Sequence, residues 1–249
     1  MAIQRQTNYT KSLSLQNNAL STSTILIIIT LFIAILIRLS LALQTADSTL
    51  YQYNGEFISI LSPDPALYGY YATLLLNGLP HNTDVSMIEY VIYALVKFTP
   101  FDLNFIMYYT PALFASFISI PVILILNIYI NSKTILFFSG TTAAIGYGFY
   151  SRTYLGYFDT DVLNVFFPMM IIFSMILVIR KKDYKYALIG IFFNITYLFW
   201  YHSSEPIVYA LNGFFILFCF LFYFKESELY KISILFGVSI VKLAFQNKL

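Results

Sequence analysis

Residues 162–182 read VLNVFFPMMIIFSMILVIRKK. The stretch Val162–Ile179 carries no charged side chain, and Arg180, Lys181 and Lys182 follow it directly. Crossing the hydrocarbon core of a bilayer as a helix takes about 20 mainly apolar residues, so this run is a spanning candidate. The basic cluster at its end marks the side that stays in the cytoplasm. The rest of the chain repeats the pattern. Thr24–Leu43, Leu103–Ile128, Ile135–Tyr150, Ala187–Tyr201 and Pro206–Phe224 are further apolar runs, and Ile232–Phe245 is a weaker one interrupted by Lys242. Over 249 residues the hydrophobic fraction is 59%, the charged fraction 10% and the mean hydropathy +0.74. Soluble domains hold roughly 45–50% and about 25%. No soluble globule of this length could hide so much apolar surface. The sequence predicts an all-α polytopic transmembrane helix bundle of about seven spans, set in a lipid bilayer.

Residues 1–23 are polar, rich in Asn, Ser and Thr, and are expected to form a cytoplasmic N-terminal tail, with 24–249 as the transmembrane domain. The first apolar run is long for a signal peptide, and no convincing small-x-small cleavage site follows it. Residues 44–102 form a long first outer loop, too polar to cross the bilayer and too long for a simple turn. Inside that loop Met87–Phe98 has apolar residues at helical spacing, which predicts an amphipathic helix lying at the interface.

With the N-terminus inside and the spans alternating, the inner side collects Arg5, Lys11, Lys133, Arg180, Lys181, Lys182, Lys185, Lys225 and Lys231. The outer loops keep only Lys97 and Arg152, as the positive-inside rule requires. The implied location is the inner (plasma) membrane. The acids distribute the other way. Asp47, Glu56, Asp64, Asp84, Glu89, Asp102, Asp159, Asp161 and Glu205 face out, and only Asp183, Glu226 and Glu228 face in. Acidic residues contribute little to insertion, so this asymmetry suggests chemistry or cation binding on the outer face. A net charge of +2 gives no polybasic footprint for nucleic acid. The single Cys219 excludes a disulfide framework and a cysteine metal cluster. His81 and His202 are far apart in sequence and suggest no zinc site.

Three clusters could carry chemistry. Asp159-Thr160-Asp161 places two carboxylates on one side of an extended segment, where they can hold a hard divalent cation and leave positions open for a pyrophosphate. Arg152, seven residues upstream, can pair with a carboxylate or a phosphate oxygen. The plainer reading is that Asp159 only caps the following helix. In Ser62-Pro63-Asp64-Pro65 an acid stands between two prolines in a stiff turn, suited to a ligand or base role, or simply to a turn or helix cap. Trp200-Tyr201-His202-Ser203-Ser204-Glu205 gathers hydroxyls and an imidazole at the end of a span. Its serines could donate to a phosphate, and its aromatics could equally be an interfacial belt. Arg38, near the outer end of the first span, is either functional or snorkels to the interface. The sequon Asn8-Tyr9-Thr10 falls on the cytoplasmic side, and Asn194-Ile195-Thr196 falls inside a span.

A multi-pass protein with an acid in its first outer loop and Asp-x-Asp at the outer end of a later span resembles the GT-C glycosyltransferases. The string Tyr-Ser-Arg-Thr-x-x-Gly-Tyr-Phe-Asp-Thr-Asp over 150–161 is more specific. Together with Val162-Leu163, Pro168-Met169, Thr99-Pro100-Phe101, Ile120-Pro121-Val122-Ile123 and Trp200-Tyr201-x-Ser203-Ser204, it is similar to the bacterial PglB-type oligosaccharyltransferase catalytic subunit. The similarity runs in order from about Arg38 to about Phe224. It implies en bloc transfer of an oligosaccharide from a polyprenyl-pyrophosphate carrier to the side-chain amide of Asn in an Asn-x-Ser/Thr sequon of an acceptor protein. The chemistry takes place on the periplasmic face with Mg²⁺ or Mn²⁺. On this resemblance Asp64 is the first-loop acid that ligates the metal and engages the acceptor amide, and Asp159 and Asp161 are the metal-binding pair. Arg152 orients the first-loop acid, and Tyr201 and Ser203 lie near the donor pyrophosphate.

Members of that family are far longer, with further spans, a third metal-binding acid in a later outer loop, and a soluble domain carrying a Trp-Trp-Asp motif. This chain has one tryptophan, Trp200, so that motif is not in it. The expectation is therefore an N-terminal part of such an enzyme, with little or no transfer activity by itself. Two alternatives stand beside it: another GT-C transferase using polyprenyl-phosphate sugars, and a non-enzymatic membrane subunit or transporter.

Overall fold

The computed structural model describes residues 23–40, 42–44, 52–53, 55–58, 63–80, 86–223, 225–226, 228–229 and 231–237. Residues 1–22, Asp47, Ser62, His81, Asp84 and residues 238–249, which include Lys242, lie outside them. The chain is helical almost throughout. Helix α1 spans Ser23–Gln44. The first loop then holds a two-stranded antiparallel hairpin, β1 (Gln52–Tyr53) and β2 (Glu56–Phe57), with Gln52 opposite Phe57. Next come α2 (Pro63–Leu76), α3 (Met87–Phe98), α4 (Leu103–Ser116), α5 (Ser119–Asn127), α6 (Lys133–Ile145) and α7 (Tyr147–Tyr150). The described part of the chain continues with α8 (Asp161–Asn164), α9 (Phe166–Lys181), α10 (Tyr184–Trp200), a 3₁₀ turn (His202–Ser204) and α11 (Glu205–Tyr223).

Local chemistry sets the helix ends. The Asp102 carboxylate accepts from Phe105 N–H (2.7 Å) to start α4, and Asp183 accepts from Lys185 N–H (2.9 Å) to start α10. Lys182 closes α9 in a left-handed conformation (φ 52°), its N–H donating to Val178 C=O. The chain then turns straight into α10, and α9 and α10 form the most extensively packed pair of the bundle. That packing depends on Gly190. A β-carbon there would collide with Ser174 Oγ on α9 and stand 2.5 Å from the Phe236 ring.

The core lies between α9, α10 and α11 and extends to α3 and α4. Phe167 stacks on Tyr197 (centroids 5.6 Å) and meets Trp200 (5.9 Å). Asn194 and Asn212, both buried, exchange reciprocal amide hydrogen bonds (3.2 and 3.0 Å) between α10 and α11. The second Asn212 N–H goes to Val208 C=O (2.7 Å). Such polar ties hold helices together where lipid removes the hydrophobic driving force. The sequon at Asn194 is thus a packing device. On the opposite side of these ties, Phe214, Leu221 and Phe222 are exposed, as a lipid-facing surface requires.

The protein is a multi-pass membrane protein. Among the described residues, four stretches are long and apolar enough to cross a bilayer: Ser23–Gln44, Leu103–Asn127, Asp161–Lys181 and His202–Tyr223. The expected spans Ile135–Tyr150 and Ala187–Tyr201 appear as α6 (13 residues) and α10 (17 residues). Each is shorter than the about 20 residues of a full crossing. The first of these runs is broken because Gly146 leaves the helical region (ψ 133°), so α7 starts afresh at Tyr147. Helix α3 has the expected bounds. Ile88, Glu89 and Ile92 are buried, and α3 packs on α2, α4 and α10.

Replacing Gly190 with Leu wedges α9 and α10 apart. Overpacking of this kind costs about 1–3 kcal/mol. The detergent-solubilised Gly190→Leu protein is expected to melt below the wild type by circular dichroism, with Gly190→Ala between the two.

Candidate active site at the α7–α8 connection

The segment between α7 and α8 is irregular yet largely buried. Thr153, Leu155, Phe158, Asp159 and Thr160 are all 5% exposed or less. An irregular segment in a dry setting must find partners for its backbone groups. Gly156, at φ +78°, turns its N–H onto Tyr108 C=O of α4 (2.9 Å). Arg38 of α1 is fully buried. It donates from Nη1 to Thr153 C=O (2.7 Å) and from Nη2 to Ala144 C=O. Its guanidinium lies over Tyr150 (5.0 Å) and Phe149 (5.7 Å). Arg38 therefore does not snorkel: it closes the end of α6 and anchors the start of the segment. Trp200, 1% exposed, donates from Nε1 to Thr160 C=O (2.8 Å). It is a buried tie from α10, not an interfacial belt residue.

This scaffold presents the acids. Asp159 Oδ1 accepts from the N–H (2.5 Å) and Oγ1 (3.1 Å) of Thr160. Burial pushes its carboxyl above the ordinary range, and the charges of Asp161 and Asp64 push the same way. Asp161 opens α8 and is half-buried. Its Oδ2 pairs with Arg152 Nε (2.6 Å), and its Oδ1 accepts from Asn164 Nδ2 (3.0 Å). Asp64 sits exposed in the first turn of α2, close enough for its charge to act on Asp159 and Tyr68. Tyr68 also bonds Thr160, and burial raises its phenol well above normal.

A cavity of about 490 Å³ opens beside Asp161, lined by Gly148, Phe149, Arg152, Asp161, Asn164, Val165 and Tyr201. Arg152, Asp161 and Tyr201 thus meet, with Asp159 at their flank. Ser203 is exposed and does not line the cavity. Its neighbour Ser204 is buried and donates to Tyr197 C=O (3.1 Å). The role of orienting Asp64 does not match what Arg152 does. Its carboxylate partner is Asp161.

Sequence reading missed three participants. Tyr68 carried no signal of its own. Asn164 had one, as the lone carboxamide inside the apolar run 162–179. Glu89 looked like an exposed acid of an interfacial helix, yet it is 3% exposed, with Ser86 Oγ donating to Oε2 (2.8 Å).

The donor chemistry fits a hard divalent cation. Mg²⁺ is usually held by one or two carboxylates, with waters and phosphate oxygens completing its shell. Two neighbouring carboxylates, one of them raised by burial and by the negative charge beside it, match that pattern. Among the described residues no three His, Cys, Asp or Glu converge into a closed metal cage.

Residues 68–247 match the family model described as oligosaccharyl transferase STT3, N-terminal. The chain belongs to the STT3 oligosaccharyl transferase family. Over 159 residues it is 33% identical to the undecaprenyl-diphosphooligosaccharide–protein glycotransferase of Campylobacter jejuni subsp. jejuni serotype O:2, and equally to the protein of that name from Campylobacter jejuni strain RM1221. These matches cover 62% of this chain and 22% of each relative, so the chain spans about a fifth of the length of the curated relatives it matches. The matched region holds the whole α7–α8 connection. Asp64 stands four residues before it.

Glu89 supplies a pH test of the burial. Its carboxyl is raised chiefly by desolvation, against the lowering effects of Ser86 and His202. A raised native acid favours the fold while protonated, and that contribution is lost as pH rises through the folded-state value. Glu89→Gln keeps the Ser86 bond and removes the charge. It is expected to raise the melting temperature at neutral pH, with the gain vanishing as pH falls toward the ordinary value of 4.5.

Proposed function

We propose that this chain forms the N-terminal, acid-bearing part of an oligosaccharyltransferase. The reaction moves an oligosaccharide from a polyprenyl-pyrophosphate carrier to the side-chain amide of Asn in an Asn-x-Ser/Thr sequon of a protein. The carrying observation is the Arg152–Asp161–Tyr201 cavity beside Asp159, within the region that matches the family. The site is read as facing the periplasm from the inner membrane. The opposite helix ends gather Lys133, Arg180, Lys181, Lys182 and Lys185, which the positive-inside rule keeps in the cytoplasm.

Asp159 and Asp161 would hold Mg²⁺ or Mn²⁺, which when bound would neutralise charge developing on a leaving pyrophosphate; Asp64, expected as a third ligand, forms no three-acid cluster with them and is not counted among the ligands. The chain's own groups divide the remaining work. Arg152, largely exposed on its ion pair with Asp161, can turn its guanidinium to a phosphate oxygen. Tyr201 lines the same cavity and offers a phenol O–H donor. An amide nitrogen is a poor nucleophile because its lone pair is delocalised into the carbonyl. A carboxylate that accepts N–H bonds from that amide weakens the delocalisation, and exposed Asp64 is the proposed acceptor. Trp200, Arg38 and Gly156 hold the acid-bearing segment in place, so little reorganisation is needed when the donor arrives.

A photoreactive polyprenyl-pyrophosphate analogue tests this with the purified chain in nanodiscs, whether or not the chain turns over. Labelling is expected to be displaced by a polyprenyl-pyrophosphate oligosaccharide and to fall at least about tenfold in Arg152→Ala, the loss of a charge-assisted bond. Preferential displacement by a polyprenyl-phosphate monosaccharide would instead assign the chain to the other donor class.

A further inference from the structure

Asn164 is a carboxamide inside an otherwise apolar membrane run, and its surroundings explain why it is there. It ends α8, three residues after Asp161, so the two side chains share one face. Its Nδ2 donates to Asp161 Oδ1 (3.0 Å) and lies 3.5 Å from Thr160 Oγ1. Its own Oδ1 is buried and without a hydrogen-bond partner. A buried acceptor left unpaired is costly, yet the amide keeps this orientation. The reason is electrostatic, since the flipped amide would press its oxygen against a carboxylate oxygen of Asp161. The side chain is therefore held by what it donates. Asp161 receives two donors of different character. Arg152 reaches Oδ2 from a side chain 63% exposed, whereas Asn164 reaches Oδ1 from within the bundle and lines the same cavity.

We infer that Asn164 is a positioning residue. It fixes the Asp161 carboxylate by holding Oδ1, so that Oδ2 is presented to the cavity whenever Arg152 swings away to an incoming anion. The inference rests on the reading of Asp159 and Asp161 as cation ligands. Asp161 then need not reorient when its arginine partner leaves, and the cost of ordering it has been met in the fold. Groups that orient ligating carboxylates typically change metal affinity by about 10–100-fold when removed.

The test is Mn²⁺ binding by the purified full chain in detergent, read from the loss of the free-ion electron paramagnetic resonance signal, with melting temperature measured in parallel. Asn164→Val is expected to weaken Mn²⁺ about tenfold without lowering the melting temperature. Asn164→Gln, which keeps an amide donor on the same helix face, is expected to lose less than about threefold. Wild-type-like affinity in Asn164→Val overturns the inference alone. Equal losses in the Val and Gln variants also overturn it, because packing rather than the donated bond would then be at work. A wild type whose Mn²⁺ uptake is absent, or unaffected by Asp159→Asn and Asp161→Asn, overturns the cation reading beneath it.

Discussion

The acid-bearing segment between α7 and α8 is neither helix nor strand, and most of it is buried. Its backbone groups cannot all bond to one another, and around Thr153, Leu155, Phe158, Asp159 and Thr160 little surface is left to water. The rest of the site depends on how this constraint is met. Three ties join it to three different helices, two through donors that come in and one through a donor of its own. Arg38 reaches Thr153 and Ala144 from α1, and Trp200 reaches Thr160 from α10. The third bond is Gly156's own N–H donated outward to Tyr108 on α4. Each tie satisfies a polar group that would be costly to leave alone in a low dielectric. Each also fixes the segment to a different part of the bundle. The same bonds that make burial tolerable thus set the positions of Arg152, Asp159 and Asp161.

The site in this form holds charge in tension. Asp159 is buried and faces the negative charges of Asp161 and Asp64, so its carboxyl is pushed up. Asp161 is paired with Arg152 and accepts from Asn164. A divalent cation would relieve the repulsion and free Arg152 for an anionic ligand.

Much of this was legible in the sequence. The apolar runs gave the helices, and the bounds of α3 followed from apolar spacing alone. Asp159, Asp161 and Arg152 were marked by residue type and spacing, and the fold brings them together. Tertiary partners were not legible. Arg38 near a membrane surface reads as a snorkelling cation, because nothing local announces that carbonyls from 106 and 115 residues away will receive it. Trp200 reads as an interfacial residue for the same reason, its partner being 40 residues earlier. Glu89 follows apolar Met87 and Ile88, and only the docking of α3 on α2, α4 and α10 buries it. Gly146 carried a visible hint of the break between α6 and α7, but a single glycine in an apolar run does not by itself separate a break from a tolerated residue.

Hydrogen–deuterium exchange of residues 151–162 tests the central claim, that donors from neighbouring helices hold the acid-bearing segment in place. In Trp200→Phe and Arg38→Met, exchange in this segment is predicted to speed up by at least about tenfold while the middle of α9 and α10 keeps its protection. Unchanged protection of residues 151–162 in both variants would contradict the account.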